Sequence, residues 1–125
     1  MANGHAGPWR SAKGFHYEHH ALTWLRARGL MLVERNYRCP LGEIDLVMRD
    51  GPVLVFIEVR FRAGTGHGAA SETVDHRKQR KLLRTAQHFL LRRRQFQNCP
   101  CRFDILGIGA AGQDLQIEWL RNAFQ

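Results

Sequence analysis

Apolar positions along the chain repeat with two different periods, and each change of period marks an element. Between residues 11 and 28, Glu18, Ala21, Leu22 and Leu25 fall at i, i+3, i+4 and i+7, one face of a helix. Gly29 stands where a C-terminal glycine ends such a helix. Residues 30–37 offer apolar side chains to both faces, a β-type stretch, and Arg38-Cys39-Pro40-Leu41-Gly42 reads as a turn. Residues 43–48 form a strand, Arg49-Asp50-Gly51-Pro52 a hairpin turn, and residues 53–61 a strand apolar enough to be buried on both faces. A loop over residues 62–72 carries Gly64, Gly66 and Gly68 and is expected to be mobile. Thr73 or Asp75 caps a second helix running to about Arg94, with Leu82, Leu83, Ala86, Phe89 and Leu90 toward the core. Residues 102–109 and 115–119 read as two last strands.

The predicted order is α-β-β-β-α-β-β. A helix crossing between the third and fourth strands permits a parallel pairing there, whereas the second and third strands make an antiparallel hairpin. The expected fold is α/β, a mixed sheet with flanking helices. At 125 residues the chain suits one domain, expected over residues 13–125 behind a flexible tail over residues 1–12. No apolar run approaches the roughly 20 residues of a membrane span, and the N-terminus has no apolar signal core. No membrane association and a cytoplasmic location are the expectations. Cys39, Cys99 and Cys101 cannot all pair with one another, and Cys99-Pro100-Cys101 lacks the redox or zinc spacing.

Charge narrows the class of partner. A net charge of +8 favours a polyanion, and nucleic acid ahead of an acidic membrane surface; the alternative is charge that only solubilises. On the second helix Arg77, Lys78, Arg80, Lys81 and Arg84, with Arg92, Arg93 and Arg94 beyond, cover much of the exposed surface. That surface is either a phosphate-contacting face, extended by Arg60 and Arg62, or a plain solvated one. Trp24, Trp119 and Phe103 are expected in the core or at its edge. His16, His19 and His20 cluster on the first helix without an HExxH pattern, so zinc is not expected.

The candidate chemistry lies in two strands that carry acids inside apolar runs: Gly42-Glu43-Ile44-Asp45-Leu46-Val47 and Val55-Phe56-Ile57-Glu58-Val59-Arg60. Burying an unpaired carboxylate is costly, and a divalent cation is one compensation. Alternation sets Glu43 and Asp45 on one face, and Glu58 and Arg60 on one face. A hairpin closing around Asp50-Gly51 puts Glu43 opposite Glu58 and Asp45 opposite Phe56. Asp45 and Glu58 are then diagonal neighbours roughly 7–8 Å apart. Glu18, on the buried face of the first helix, becomes a third acid if that helix packs on the hairpin. Three acids and water oxygens suit Mg²⁺ or Mn²⁺. Such an ion lowers the pKa of a bound water and stabilises charge developing at a phosphorus, and Arg60 sets a cation beside the phosphate. The same residues also fit a salt-bridged, partly exposed sheet face with no ion.

Several ordered motifs carry a resemblance. Gly14-x-x-x-Glu18-x-x-Ala21, Asn36-Tyr37-Arg38, Gly42-Glu43-Ile44-Asp45-Leu46 and Val55-Phe56-Ile57-Glu58-Val59-Arg60 are followed by Arg77-Lys78-Gln79-Arg80-Lys81, Arg102-Phe103-Asp104-Ile105 and the closing segment from Ile117 to Phe124. Over roughly residues 13 to 124 the chain resembles the YraN-like family of bacterial proteins, whose biological role is undetermined. That resemblance implies a restriction-endonuclease-like fold, similar to Holliday-junction resolvases, with Glu18, Asp45 and Glu58 as metal-binding acids. Arg60 stands where nucleases of this fold usually have lysine. Arginine holds phosphate charge but does not release a proton, which makes Lys78 the candidate to do so. The expected function is a Mg²⁺-dependent endonuclease hydrolysing DNA phosphodiester bonds. The alternatives are a non-catalytic nucleic-acid-binding module of the same fold and a protein-interaction adaptor. A two-fold DNA substrate would suit a homodimer.

Overall fold

The computed structural model describes residues 12–62, 74–111 and 114–124, without the side chains of residues 12–16, 62, 110, 111 and 114. The expected tail up to residue 11, the glycine loop beyond Arg62, the Thr73 cap and the Arg62 side chain lie outside that description. The elements are α1 (Ala12–Arg26), β1 (Met31–Cys39), β2 (Gly42–Asp50), β3 (Val53–Arg62), α2 (His76–Arg92), a short 3₁₀ turn (Arg94–Phe96), β4 (Cys101–Ala111) and β5 (Asp114–Phe124). Among the described residues, five strands form one sheet in the order β1-β2-β3-β4-β5. All neighbours are antiparallel except β3 and β4, which are parallel and joined through α2. The α/β class and element order match the expectation from the sequence. Among the described residues no helix is long and apolar enough to cross a membrane.

The sheet buries both faces. Against α1 lie Leu46, Met48, Val55, Ile57, Val59, Leu106 and Ile108, meeting Ala21, Leu22 and Leu25 of the helix. Against α2 lie Ile44, Val47, Leu54, Phe56, Phe103 and Ile105, meeting Leu82, Ala86 and Phe89. This two-sided cover is why β3 reads as a continuous apolar run rather than an alternating one. Gly29, at φ +97°, ends α1 as expected. Asp75 caps α2, its carboxylate accepting from the Lys78 amide at 2.9 Å. Trp24 and Trp119 meet edge to face at 5.8 Å, at the margin of the α1-side core.

One register and one strand end depart from expectation. The β2–β3 hairpin closes with Asp50 paired to Val53, so Gly51-Pro52 are the two turn residues. Gly51, at φ +59°, supplies the conformation that a two-residue hairpin turn asks of its first residue. The shift of two residues keeps parity but sets Phe56 opposite Val47, not Asp45. The last strand is also longer than its apolar pattern suggested. It continues through Leu120, Ala123 and Phe124, which pack on the α2-side core, with Phe124 stacked 5.0 Å from Phe103.

Asp104 accounts for that extension. It is buried on β4 where the β4–β5 register shifts, and it accepts from the Asn122 amide at 2.8 Å and the Trp119 indole at 2.9 Å. The Arg102 guanidinium adds a fork of 3.0 and 3.2 Å contacts. Asn122, at φ +53°, turns its amide toward the carboxylate. Arg102 also meets Asp50 at 3.0 Å, and Arg121 meets Asp50 at 3.1 Å. Burial works against the Arg102 charge, but Asp104 and Asp50 outweigh it and raise its pKa. The Asp50 carboxyl is held below its ordinary value, chiefly by the hydrogen bond from Arg102 and then by the neighbouring guanidinium charges.

Removing Asp104 leaves the Arg102 charge and the Trp119 and Asn122 donors without their acceptor. Asp104→Ala should cost about 3 kcal/mol in urea unfolding. For Asp50, a lowered folded pKa contributes stability that is fully present above the ordinary carboxylate value near pH 3.9 and is lost as pH falls through the folded value. Asp50→Asn should therefore be less stable than the parent at neutral pH. The difference in melting temperature should close on acidification below about pH 4.

Candidate functional site

The β2–β3 ladder stops at Leu46–Ile57. Leu54 donates its amide to Pro100 ahead of β4, so by alternation the odd-numbered amides of β3 point toward β2. Val59 is the next of these, and beyond the end of the ladder its amide donates to the Asp45 carboxylate at 2.8 Å. A buried N–H requires an acceptor and a buried carboxylate requires a donor; here each supplies the other. Val59 directly follows Glu58. Asp45 is thus bonded to the peptide joining Glu58 to Val59, and continuing the observed register by one residue sets Asp45 against Glu58. Both acids are buried, at 3 % and 7 % exposure.

Alternation slips at the same place. Ile44 and Val47 both pack toward α2, whereas Leu46 and Met48 pack toward α1, so the side-chain sequence of β2 changes face around Asp45. Strand β1 slips with it. Tyr37, paired to Ile44, packs toward α2, while Arg35, paired to Leu46, reaches Glu18 of α1. Between them Asn36, opposite Asp45, takes a left-handed φ of +57°, a conformation asparagine tolerates better than most residues. Tyr37 is tied to α2 by a hydrogen bond between its hydroxyl and the His88 ring. Burial raises the Tyr37 pKa.

Glu18 is 1 % exposed and accepts from Arg35 at 3.2 Å and from the Asn36 amide group at 3.1 Å. Glu58 faces the other way. Arg60 at 3.0 Å and Lys78 at 3.3 Å converge on one of its carboxylate oxygens. A row therefore crosses three strands and both helices: Glu18 with Arg35 and Asn36, then Asp45, then Glu58 with Arg60 and Lys78. Asp45 and Glu58 occupy adjacent positions, and Glu18 joins the row through Asn36. Among the described residues no three acids, histidines or cysteines converge as a ready ligand cluster. Carboxylate oxygens are hard donors, of the kind that suit Mg²⁺ or Mn²⁺.

Of the predicted phosphate-contacting residues, Lys78 and Arg60 stand at Glu58, and Arg77, Arg80, Lys81 and Arg84 lie exposed along α2. Two contributors were not singled out from the sequence, Arg35 and the Asn36 side chain; nor was Asp104, which holds the β4–β5 edge. Asp104 carried the same signal as Asp45, an acid inside an apolar strand. Asn36 lay within a recognised motif, but its left-handed conformation has no sequence signature beyond asparagine itself.

A model of "Uncharacterised protein family UPF0102" matches residues 17–108. A UPF0102 protein of Stutzerimonas stutzeri is 50% identical over 105 residues, which cover 84% of this chain and 88% of that protein. One from Nitrosococcus oceani is 49% identical over 113 residues, 90% of this chain and 91% of its own. One from Methylococcus capsulatus is 45% identical over 120 residues, 96% of each chain.

The Asp45 bond makes a prediction that separates shape from charge. Asp45→Asn keeps an oxygen acceptor for the Val59 amide, whereas Asp45→Ala leaves that amide buried and unsatisfied. Asp45→Ala should be less stable than Asp45→Asn by about 1–3 kcal/mol in chemical denaturation.

Proposed function

The chain belongs to the uncharacterised protein family UPF0102, the YraN-like family that its motifs resemble, and we propose that it binds DNA and hydrolyses phosphodiester bonds with the aid of a hard divalent ion. One observation carries this reading. Two buried carboxylates occupy adjacent positions where a strand pair opens, and a lysine and an arginine meet one of them. Asp45 and Glu58 would hold Mg²⁺ or Mn²⁺, with Glu18 completing the acidic row from α1. Such an ion, when bound, supplies a water of lowered pKa and a counter-charge for the phosphate.

The chain's own residues have separable roles in this reading. Arg60 holds a phosphate oxygen through a permanently charged guanidinium. Lys78 stands on the same carboxylate and, unlike arginine, can exchange a proton, which gives it the role the usual strand lysine would have. Asn36 and Arg35 position Glu18 without touching substrate. The restriction-endonuclease-like resemblance favours the same assignment, since it implies acids on the hairpin and on the first helix.

A second reading, a nucleic-acid-binding module without catalysis, is favoured by Glu58 itself. Arg60 and Lys78 already neutralise that carboxylate, so the arrangement is electrostatically complete without an ion.

Incubation of the protein with branched and linear DNA, with and without Mn²⁺, separates the two. Metal-dependent nicking is expected, reduced by more than about 100-fold in Asp45→Asn, a larger loss than removal of an outer partner of a metal ligand produces. Nicking that persists in Asp45→Asn removes Asp45 from the site. Salt-sensitive binding without nicking under any metal condition establishes the module instead.

A further inference from the structure

The turn between β1 and β2 and the exposed side of α2 enclose two adjoining hollows. One, of 320 Å³, is lined by Arg38, Pro40, Glu43, Lys78 and Lys81 among others. The second, of 590 Å³, is lined by Pro40, Leu41, Arg77, Arg80, Lys81 and Arg84. They share Pro40 and Lys81 and so form one track, which begins at Lys78, the partner of Glu58, and runs out to Arg84.

One wall is a stripe of positive charge. Arg77, Arg80, Lys81 and Arg84 fall at i, i+3, i+4 and i+7 of α2, all exposed, and among the described residues none of them is in an ion pair. At 1.5 Å per residue the stripe is about 10 Å long, enough to meet more than one phosphate of a single strand. Four like charges so close repel one another unless a polyanion lies along them. Glu43 is the acid of the track, 3.9 Å from Arg38.

The other wall is apolar at its tip. Leu41 is 45 % exposed and, with Pro40, lines the same hollow as the cations. The turn that carries it is pressed against α2: a Cβ on Gly42 would come within 2.8 Å of the Thr85 hydroxyl. A leucine contributes nothing to holding phosphate. It contributes where a nucleobase offers its flat face, and in a duplex those faces are covered by stacking.

We propose that this track seats a nucleic-acid strand with unpaired bases, its phosphates on the Arg77–Arg84 stripe and a base against Leu41 and Pro40. The inference rests on the reading that the Glu58 site acts on a phosphodiester, and it adds that the site prefers strands whose bases are unstacked.

The test uses the full chain carrying Asp45→Asn, in EDTA, so that cleavage plays no part. Fluorescence anisotropy follows a labelled oligothymidylate and a duplex of equal length across a salt series. The unpaired strand is expected to bind more tightly. Arg80→Ala with Lys81→Ala should flatten the slope of log K against log salt by about 1.4 for single strands. Leu41→Ala should weaken single-strand binding about fivefold while leaving the slope and duplex binding unchanged. Leu41→Phe, which enlarges the stacking surface, should strengthen single-strand binding about tenfold. Tighter duplex binding, an equal effect of Leu41→Ala on both substrates, or a slope unmoved by the double substitution overturns the proposal. So does binding to phosphatidylglycerol vesicles that the oligothymidylate does not displace. Failure of the nicking assay with these binding effects intact removes the nuclease reading alone. Metal-dependent nicking without them removes the track alone.

Discussion

The hydrogen bond from the Val59 amide to the Asp45 carboxylate is the constraint around which this molecule is arranged. A sheet that opens in its interior leaves a buried amide without a ladder partner, and an acid in a buried strand lacks a donor. Either alone costs about 1–3 kcal/mol or more. Together they cancel, and the opening becomes stable. Around it β1 and β2 change face in step, Asn36 adopts a left-handed turn, and the two helices bring Glu18 and Lys78 to the ends of one polar row.

The same device occurs a second time with a different outcome. Asp104 also accepts a strand amide at a register break, from Asn122. Its other contacts come from Arg102 and Trp119, and the carboxylate is buried beneath them. Asp104 therefore stabilises the β4–β5 edge and offers nothing to a ligand. Glu58 differs in the kind of partner it has. Arg60 and Lys78 are partly exposed, and Lys78 opens onto the basic track along α2. What separates the two acids here is the degree to which their cations are exposed: 16 % for Arg102, against 29 % for Arg60 and 41 % for Lys78.

Much of the architecture was legible because it depends on local rules. Gly29 and Asp75 mark helix ends through conformation and capping chemistry that need no tertiary partner. The apolar run of β3 reported a strand covered on both sides. The hairpin was visible, yet its register was displaced by two residues, because the turn closes on Gly51-Pro52, with Gly51 at positive φ, and not on Asp50-Gly51. Strict alternation could not foresee the slip at Asp45. The end of β5 was missed because Arg121 and Asn122 interrupt its apolar pattern, and their role appears only when Asp104 and Asp50 are seen beside them.

By itself the sequence determined the α/β order, the two acid-bearing strands, the basic second helix and membership of a family, since each follows from periodicity, composition or motif along the chain. Only the tertiary structure decided that Asp45 bonds to the peptide after Glu58, that Glu18 is held by Arg35 and Asn36, and that Lys78 reaches Glu58. These are contacts between residues 14 to 20 positions apart whose geometry depends on where a ladder breaks and how a helix docks. No local propensity encodes either, because both are set by satisfying buried polar groups across the whole sheet at once.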